Sequence, residues 1–299
     1  MSAGRRLRDR LVSGDMLVAP GVFDGLSAKI VGQAGFEALY ASGGAIARES
    51  GVPDLGLLTM SEVLARLAEI VRTSPVPVIA DADTGYGNAL NVRRAVQEFE
   101  RTGVAALHLE DQLTPKRCGH YAGQEIVPAG EMVLKLRAAL EARADPDVVI
   151  IARTDARSAA GFEEAVRRAN LYADAGADVV FVEAPQSVEE LAELPRRVRA
   201  PLLVNMFQGG KTPFVPAAAL SRMGYRIMIV PSDVQRAAMF AMREAARALR
   251  LDGSTERLQE RMVTFREREE LVGLAAWEAL EERYLKRPAD PPSPAASHG

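Results

Sequence analysis

The sequence predicts an α/β fold, a (β/α)8 barrel of the TIM type with extra helices at its C-terminal end. Three observations lead there. Eight short apolar, β-branched runs recur along the 299 residues. They are apolar without alternation, as strands buried on both faces of a parallel sheet are. Segments of helical period lie between them, and polar residues gather just after the runs, where barrels of this kind keep their chemistry. An open doubly wound sheet is the alternative that the same alternation allows.

In chain order the runs are Leu17–Ala19, Ala38–Ala41, Val76–Ala80, Ala105–Leu109, Val148–Ala152, Val179–Val182, Leu202–Val204 and Ile227–Val230. Thr59-Met60-Ser61-Glu62 is a capping-box pattern, in which each outer residue satisfies a free backbone N–H. Val63, Leu64, Leu67, Ile70 and Val71 then form one apolar stripe. Asn91–Arg101, Met132–Ala142, Phe162–Ala175 and Val188–Arg199 read as helices in the same way. After the last run come a helix over Gln235–Arg250, a break at Gly253-Ser254, and helical segments around Leu258–Val272 and Ala275–Tyr284. The expected layout is one domain over 1–285, followed by a Pro/Ala/Ser-rich tail over 286–299 that reads as disordered.

Composition narrows the function. Lys+Arg number 37 against Asp+Glu 40, for a net charge of -3, which argues against nucleic acid as a partner. No apolar run is long enough to cross a bilayer. The charged segment Met1–Arg10 is not followed by an apolar stretch, so no secretory signal is expected. The single cysteine, Cys118, rules out an internal disulfide, and a reducing cytoplasm is the expected location.

The polar residues after the runs define a candidate site. Asp81 and Asp83 follow the third run and Glu110 the fourth. Three carboxylates at adjacent strand ends repel one another unless a cation sits among them. Oxygen donors suit Mg²⁺, or Mn²⁺ in its place. The plainer reading of Asp-x-Asp is an Asx-turn. Asp111 and Asp155 read as structural. Arg153 offers a fork for a substrate carboxylate, or else a salt bridge to Asp155 or Glu183. Ser42, Gly43 and Gly44 can bring backbone N–H groups to an anion. Cys118 lies in a long loop that reads as a lid, where Lys116, Arg117 and His120 would favour a thiolate or ease proton exchange. A metal with anion-binding groups suits an α-keto or α-hydroxy acid. No Ser/His/Asp arrangement, Walker loop or Cys-rich zinc site is present in the sequence.

Several motifs together are specific. They are Ser42-Gly43-Gly44, Pro53-Asp54-Leu55-Gly56, Asp81-Ala82-Asp83-Thr84-Gly85-Tyr86-Gly87, His108-Leu109-Glu110-Asp111-Gln112, Lys116-Arg117-Cys118-Gly119-His120 and Ile151-Ala152-Arg153-Thr154-Asp155-Ala156. On these the chain resembles the isocitrate lyase/phosphoenolpyruvate mutase superfamily, to about Leu285. The resemblance implies a Mg²⁺-dependent barrel with Asp81, Asp83 and Glu110 near the metal, directly or through water. It implies that Asp54 supports the metal waters or, in phosphonate-processing members, lies near the transferred group. Ser42, Gly43, Gly44 and Arg153 would hold the pyruvate-like half of a substrate. It further implies a homotetramer whose last helices swap between neighbours.

The Lys116–His120 loop is similar to that of the superfamily's carbon–carbon lyases, where the cysteine is a general acid, with Lys116 beside it and Gly119 and His120 near substrate. A carboxyphosphonate-type phosphorylmutase shares it, and resembles this chain around Gly209-Gly210-Lys211-Thr212-Pro213 as well. By the same resemblance Glu183, Asn205 and Arg236 match substrate-contact positions, and Phe265 stands where the methylisocitrate lyases carry a second arginine. The expected activity is therefore cleavage of a 2-hydroxydicarboxylate, with alkylmalates preferred to tricarboxylates. A phosphonate enzyme, an oxaloacetate-cleaving enzyme and a silent ligand-binding barrel are the alternatives.

Overall fold

In the computed structural model, residues 1–285 are described; the expectation of a disordered tail falls outside them. All eight expected strands form: β1 Leu17–Val22, β2 Leu39–Ala41, β3 Val78–Asp81, β4 Ala106–Glu110, β5 Val149–Thr154, β6 Val179–Val182, β7 Leu202–Asn205 and β8 Ile227–Val230. They pair in parallel in sequence order, and β8 returns to β1 through Leu17↔Ile227, which closes the barrel and excludes the open sheet.

Continuous apolarity has a direct cause here. In β5, Val149 and Ile151 point into the barrel with Ile79, Ala106, Phe181 and Leu203, while Ile150 and Ala152 face the surrounding helices. Both faces are dry, so neither parity can be polar until the strand ends. There the inward parity continues into chemistry. Ile79 leads to Asp81, Ala106 to His108 and Glu110, Ile151 to Arg153, Phe181 to Glu183, and Leu203 to Asn205. Register then sets neighbours: Asp81 lies opposite His108, and Glu110 opposite Arg153.

The Thr59–Glu62 capping box starts the helix Met60–Thr73 as expected. Helices not anticipated are Ala3–Val12, Gly25–Gln33, Gly43–Glu49, Ala156–Ala160 and Ala217–Met223. The expected segment Leu258–Val272 is broken. A 3₁₀ turn spans Glu256–Arg261, and a new helix, Phe265–Val272, starts at Thr264, which forms its own capping box with Glu267. Two compact units divide the described residues, Met1–Arg243 with the barrel and 244–285. In the second unit the helix Leu274–Leu285 leaves Trp277, Tyr284 and Leu285 exposed. Among the described residues, no helix is long and apolar enough to cross a membrane.

Candidate active site

One cavity opens at the C-terminal ends of the strands, and it gathers most of the expected site. Ser42, Gly44, Asp54, Asp81, Lys116, Cys118, Gly119, His120, Arg153, Glu183 and Asn205 all line it. Gly43 and Asp83 line a smaller adjoining cavity with Asp54, Asp81 and Lys116. Glu110 is fully buried behind Arg153. Arg236 is not brought in. Its guanidinium is exposed and donates to Gln208 O at 2.7 Å. Phe265, in the C-terminal unit, is 72% exposed, with the Arg268 guanidinium over its ring.

Two buried cations organise the mouth. Lys116 Nζ lies 2.6 Å from Asp54 Oδ1 and 2.8 Å from Asp83 Oδ1. Burial alone would lower its pKa, but Asp83 and Asp54 hold it well above the usual lysine value. Arg153 is clamped more fully. Nε and Nη2 both donate to the Asp155 carboxylate at 2.9 Å, Nη1 lies 3.1 Å from Glu110, and Nη2 lies 3.3 Å from Glu183. The salt-bridge alternative therefore holds for Arg153, and its fork is already occupied by the protein's own carboxylates. Asp155 is thereby fixed as a structural partner. Asp111 is another, accepting from Thr154 Oγ1, Asp155 N, Arg168 Nη1 and Tyr172 OH.

Charge is unbalanced around these centres. Asp54, Asp81, Glu110, Asp155 and Glu183 are buried, and among the described residues Lys116 and Arg153 are the buried cations beside them. Burial pushes Asp83 up to about 6, with Asp81 adding to the effect, and burial likewise raises Glu110 well above the carboxylate range. Glu110 Oε1 has no partner, and Oε2 has only the Arg153 Nη1 ion pair at 3.1 Å. Burial would also raise Asp81, but the groups facing it bring it well below the usual range. Burial pushes the facing His108 down to about 4, so at neutral pH its ring is uncharged and Lys116 and Arg153 are the cations that keep Asp81 ionised. Among the described residues no three acidic, histidine or cysteine side chains form a ready-made metal cage. Orphaned hard oxygens without a tight cage fit a divalent ion that keeps most of its waters, as Mg²⁺ does.

Two local expectations change. Asp83 N donates to Asp81 Oδ1 at 3.0 Å, so the Asp-x-Asp turn reading holds alongside the acidic cluster. Ser42 caps the short helix Gly43–Glu49, and Gly43 N donates to Asp81 Oδ2, so these groups seat a protein carboxylate instead of forming an open anion nest. A Cβ on Gly43 would lie 2.7 Å from Asp81 Oδ2, and one on Gly44 2.7 Å from Asp54 Oδ2. The glycines are needed for that approach.

The loop after β4 covers the cavity. A Cβ on Gly119 would lie 2.4 Å from Glu183 Cγ and 2.7 Å from Arg153 Nη2, so only glycine lets the loop seat here. Cys118 N donates to Asp54 O. Burial, reinforced by Asp54, pushes the Cys118 thiol up to about 11. This corrects the thiolate expectation, because the Lys116 ammonium turns to Asp54 and Asp83. A protonated thiol over the cavity is a proton donor.

Sequence reasoning missed Tyr40, His108 and Arg48. Tyr40 OH lies 2.8 Å from His108 Nε2 and donates to Asp81 Oδ2 at 3.3 Å. Both residues sit at inward positions inside apolar runs, and that parity was the available signal. Arg48 lines the cavity and donates to Gly44 O. Among the described residues no carboxylate lies in salt-bridge range of it, unlike Lys116 and Arg153.

Fold and mouth together define an α/β-barrel enzyme with an acid-rich cavity under a cysteine-bearing loop. Residues 7–250 match the family described as phosphoenolpyruvate phosphomutase. The chain belongs to the phosphoenolpyruvate mutase/isocitrate lyase superfamily. It is 45% identical over 285 residues to 2,3-dimethylmalate lyase of Eubacterium barkeri, covering 95% of this chain and 99% of that one. A crystal structure of 2,3-dimethylmalate lyase superposes with a TM-score of 0.88 at 41% identity, over 95% of each chain. The 2-methylisocitrate lyase of Aeropyrum pernix is 45% identical over 284 residues, 95% of this chain and 92% of that one. Phosphonopyruvate hydrolase, solved with oxalate and Mg²⁺, matches at a TM-score of 0.87 and 34% identity, over 96% of this chain and 100% of that one.

Proposed function

We propose that this chain is a Mg²⁺-dependent carbon–carbon lyase acting on a 2-substituted malate or related 2-hydroxydicarboxylate. It releases pyruvate or another 2-oxo acid and a second carboxylic acid. The observation that carries this reading is Cys118, a thiol kept protonated by burial and held over the cavity. In cleavage a general base takes the 2-hydroxyl proton, the O–H electron pair forms the new carbonyl, and the C2–C3 bond breaks. The electron pair goes to C3 of the departing half, an enolate-like carboxylate, which takes the thiol proton of Cys118. General acid catalysis of this kind contributes about 10²–10⁴-fold.

Asp81, Asp83 and Glu110 would hold the ion, directly or through water, and Mn²⁺ could replace Mg²⁺. When bound, the ion supplies Lewis-acid stabilisation of charge on the 2-oxo acid. Asp54 and Lys116 tie the loop side to the acids, and Arg153 sets Glu183 against the loop. Ser42, Gly43 and Gly44 border the 2-oxo-acid half, while Gly119, His120, Glu183 and Asn205 border the departing half. Arg48, in place of the Arg236 expected from sequence, is the cation open to the outer carboxylate. One such cation favours dicarboxylates over tricarboxylates, since an unpartnered buried anion costs several kcal/mol. Exposed Phe265, Trp277 and Tyr284 support a homotetramer in which the C-terminal helices pack on a neighbour.

The test compares an alkylmalate, 2-methylisocitrate and a phosphonopyruvate-type substrate for release of 2-oxo acid. The alkylmalate should have the highest kcat/KM. Cys118→Ser should lower kcat by about 10²-fold or more with KM near wild type. Activity confined to the phosphonate would make the chain a phosphonate enzyme of the same superfamily.

A further inference from the structure

We propose that Lys211 is a positioning residue, a latch that holds the Cys118 loop closed over the cavity. Among the described residues, besides the ion pairs of Lys116 and the contacts of His120 with Glu183 and Asn205, three polar side chains bond the backbone of this loop. Gln112, at the end of β4, binds Arg117 through both ends of its amide, accepting from Arg117 N at 2.9 Å and donating to Arg117 O at 2.8 Å. That is a hinge. Gln124 donates its amide to the carbonyls of Cys118, Gly119 and Tyr121, but it lies on the same loop and moves with it. Lys211 alone of the three comes from across the mouth, on the loop after β7.

Lys211 reaches over with both its side chain and its backbone. Nζ donates to Gly119 O at 3.2 Å and to Tyr121 O at 2.5 Å, with Ser158 Oγ at 3.3 Å. No carboxylate among the described residues lies in salt-bridge range of this ammonium. Its donors serve loop carbonyls, whereas a surface lysine with no such role would remain in water. The backbone N–H of Lys211 donates to His120 Nδ1 at 3.0 Å. That bond needs a bare Nδ1, which leaves Nε2 to carry a ring N–H toward Glu183 Oε1 at 3.3 Å. Phe207, from the same loop as Lys211, meets the His120 ring edge-on at 4.5 Å. Gly210 makes the approach possible, since a Cβ there would lie 3.0 Å from Phe207 Cζ and 3.1 Å from His120 Nδ1. The latch thus acts on the residues flanking Cys118 and sets which His120 nitrogen faces Glu183.

Cys118 is the chain's one cysteine and so reports on the latch directly. The experiment measures iodoacetamide alkylation of Cys118 in the full chain, with Lys211→Met, Lys211→Gln and Lys211→Arg beside wild type. Lys211→Met should alkylate about 10-fold faster, the scale of a lost hydrogen bond to a charged donor, with cooperative unfolding kept and Tm lowered by no more than about 2–4 °C. Lys211→Arg should stay near wild type and Lys211→Gln fall between. Added oxalate should slow alkylation in every variant. In steady-state assays Lys211→Met should raise KM more than it lowers kcat. This kinetic arm rests on the lyase reading, but alkylation needs no substrate, so the two fail separately. An alkylation rate that is the same across the series would overturn the latch.

Discussion

The two buried cations of the mouth do similar electrostatic work on different supports. Arg153 stands on β5 and meets its acids across sheet register, with Glu110 directly opposite on β4. Lys116 stands on a loop and reaches Asp54 and Asp83, themselves beyond the strand ends. One half of the site is therefore built as soon as the barrel closes. The other exists only while the loop is down. The contrast separates a half carried on the barrel strands from a half carried on a loop.

The largest test concerns the acids between the two centres. A chelator should abolish activity, with Mg²⁺ or Mn²⁺ restoring it, and Asp81→Asn should lose Mg²⁺ binding by calorimetry with the barrel still folded. Full activity in excess chelator would mean that the excess carboxylates serve another purpose. Next in size is a direct comparison of the cations by denaturant unfolding. Arg153→Met strands three carboxyl groups in the sheet and should cost about 3–5 kcal/mol. Lys116→Met should cost less, about 1–3 kcal/mol, because opening the loop lets water reach Asp54 and Asp83. Equal losses would show that the Lys116 half is as rigid as the Arg153 half. The smallest effect is a position on the pH axis. A general acid must be protonated, so kcat falls as pH rises through its pKa. With Cys118 held near 11, the alkaline limb should lie well above the roughly 8.5 of an ordinary thiol. A limb centred there would indicate an open loop during turnover.

The barrel was legible because its strands are dry on both faces, and a short apolar run without alternation is the pattern such burial imposes. Helices were legible where an apolar stripe was wide. Ala3–Val12 escaped because half of its residues are charged and only Gly4 and Leu7 are buried. Gly43–Glu49 escaped because it opens on two glycines, which propensity counts against a helix. The site was legible wherever a polar residue ended a run. Charge neighbourhoods were not. Lys116 is two residues from Cys118 in sequence, yet its ammonium is directed to Asp54 and Asp83, so adjacency gave the wrong sign for the thiol. Arg236 illustrates the same limit, since matching positions along the chain does not fix where a long side chain on a helix points.

The alternation inside each strand has a further consequence for protein engineering. Outward-facing Leu107, Leu109, Ile150 and Ala152 determine how the helices dock, whereas the last inward position of each strand determines what the cavity recognises. Scaffold and specificity are thus written on alternate letters of the same words. A combinatorial library confined to Arg48, Asn205 and Phe207 would search substrate range while every outward-facing strand residue stays as it is.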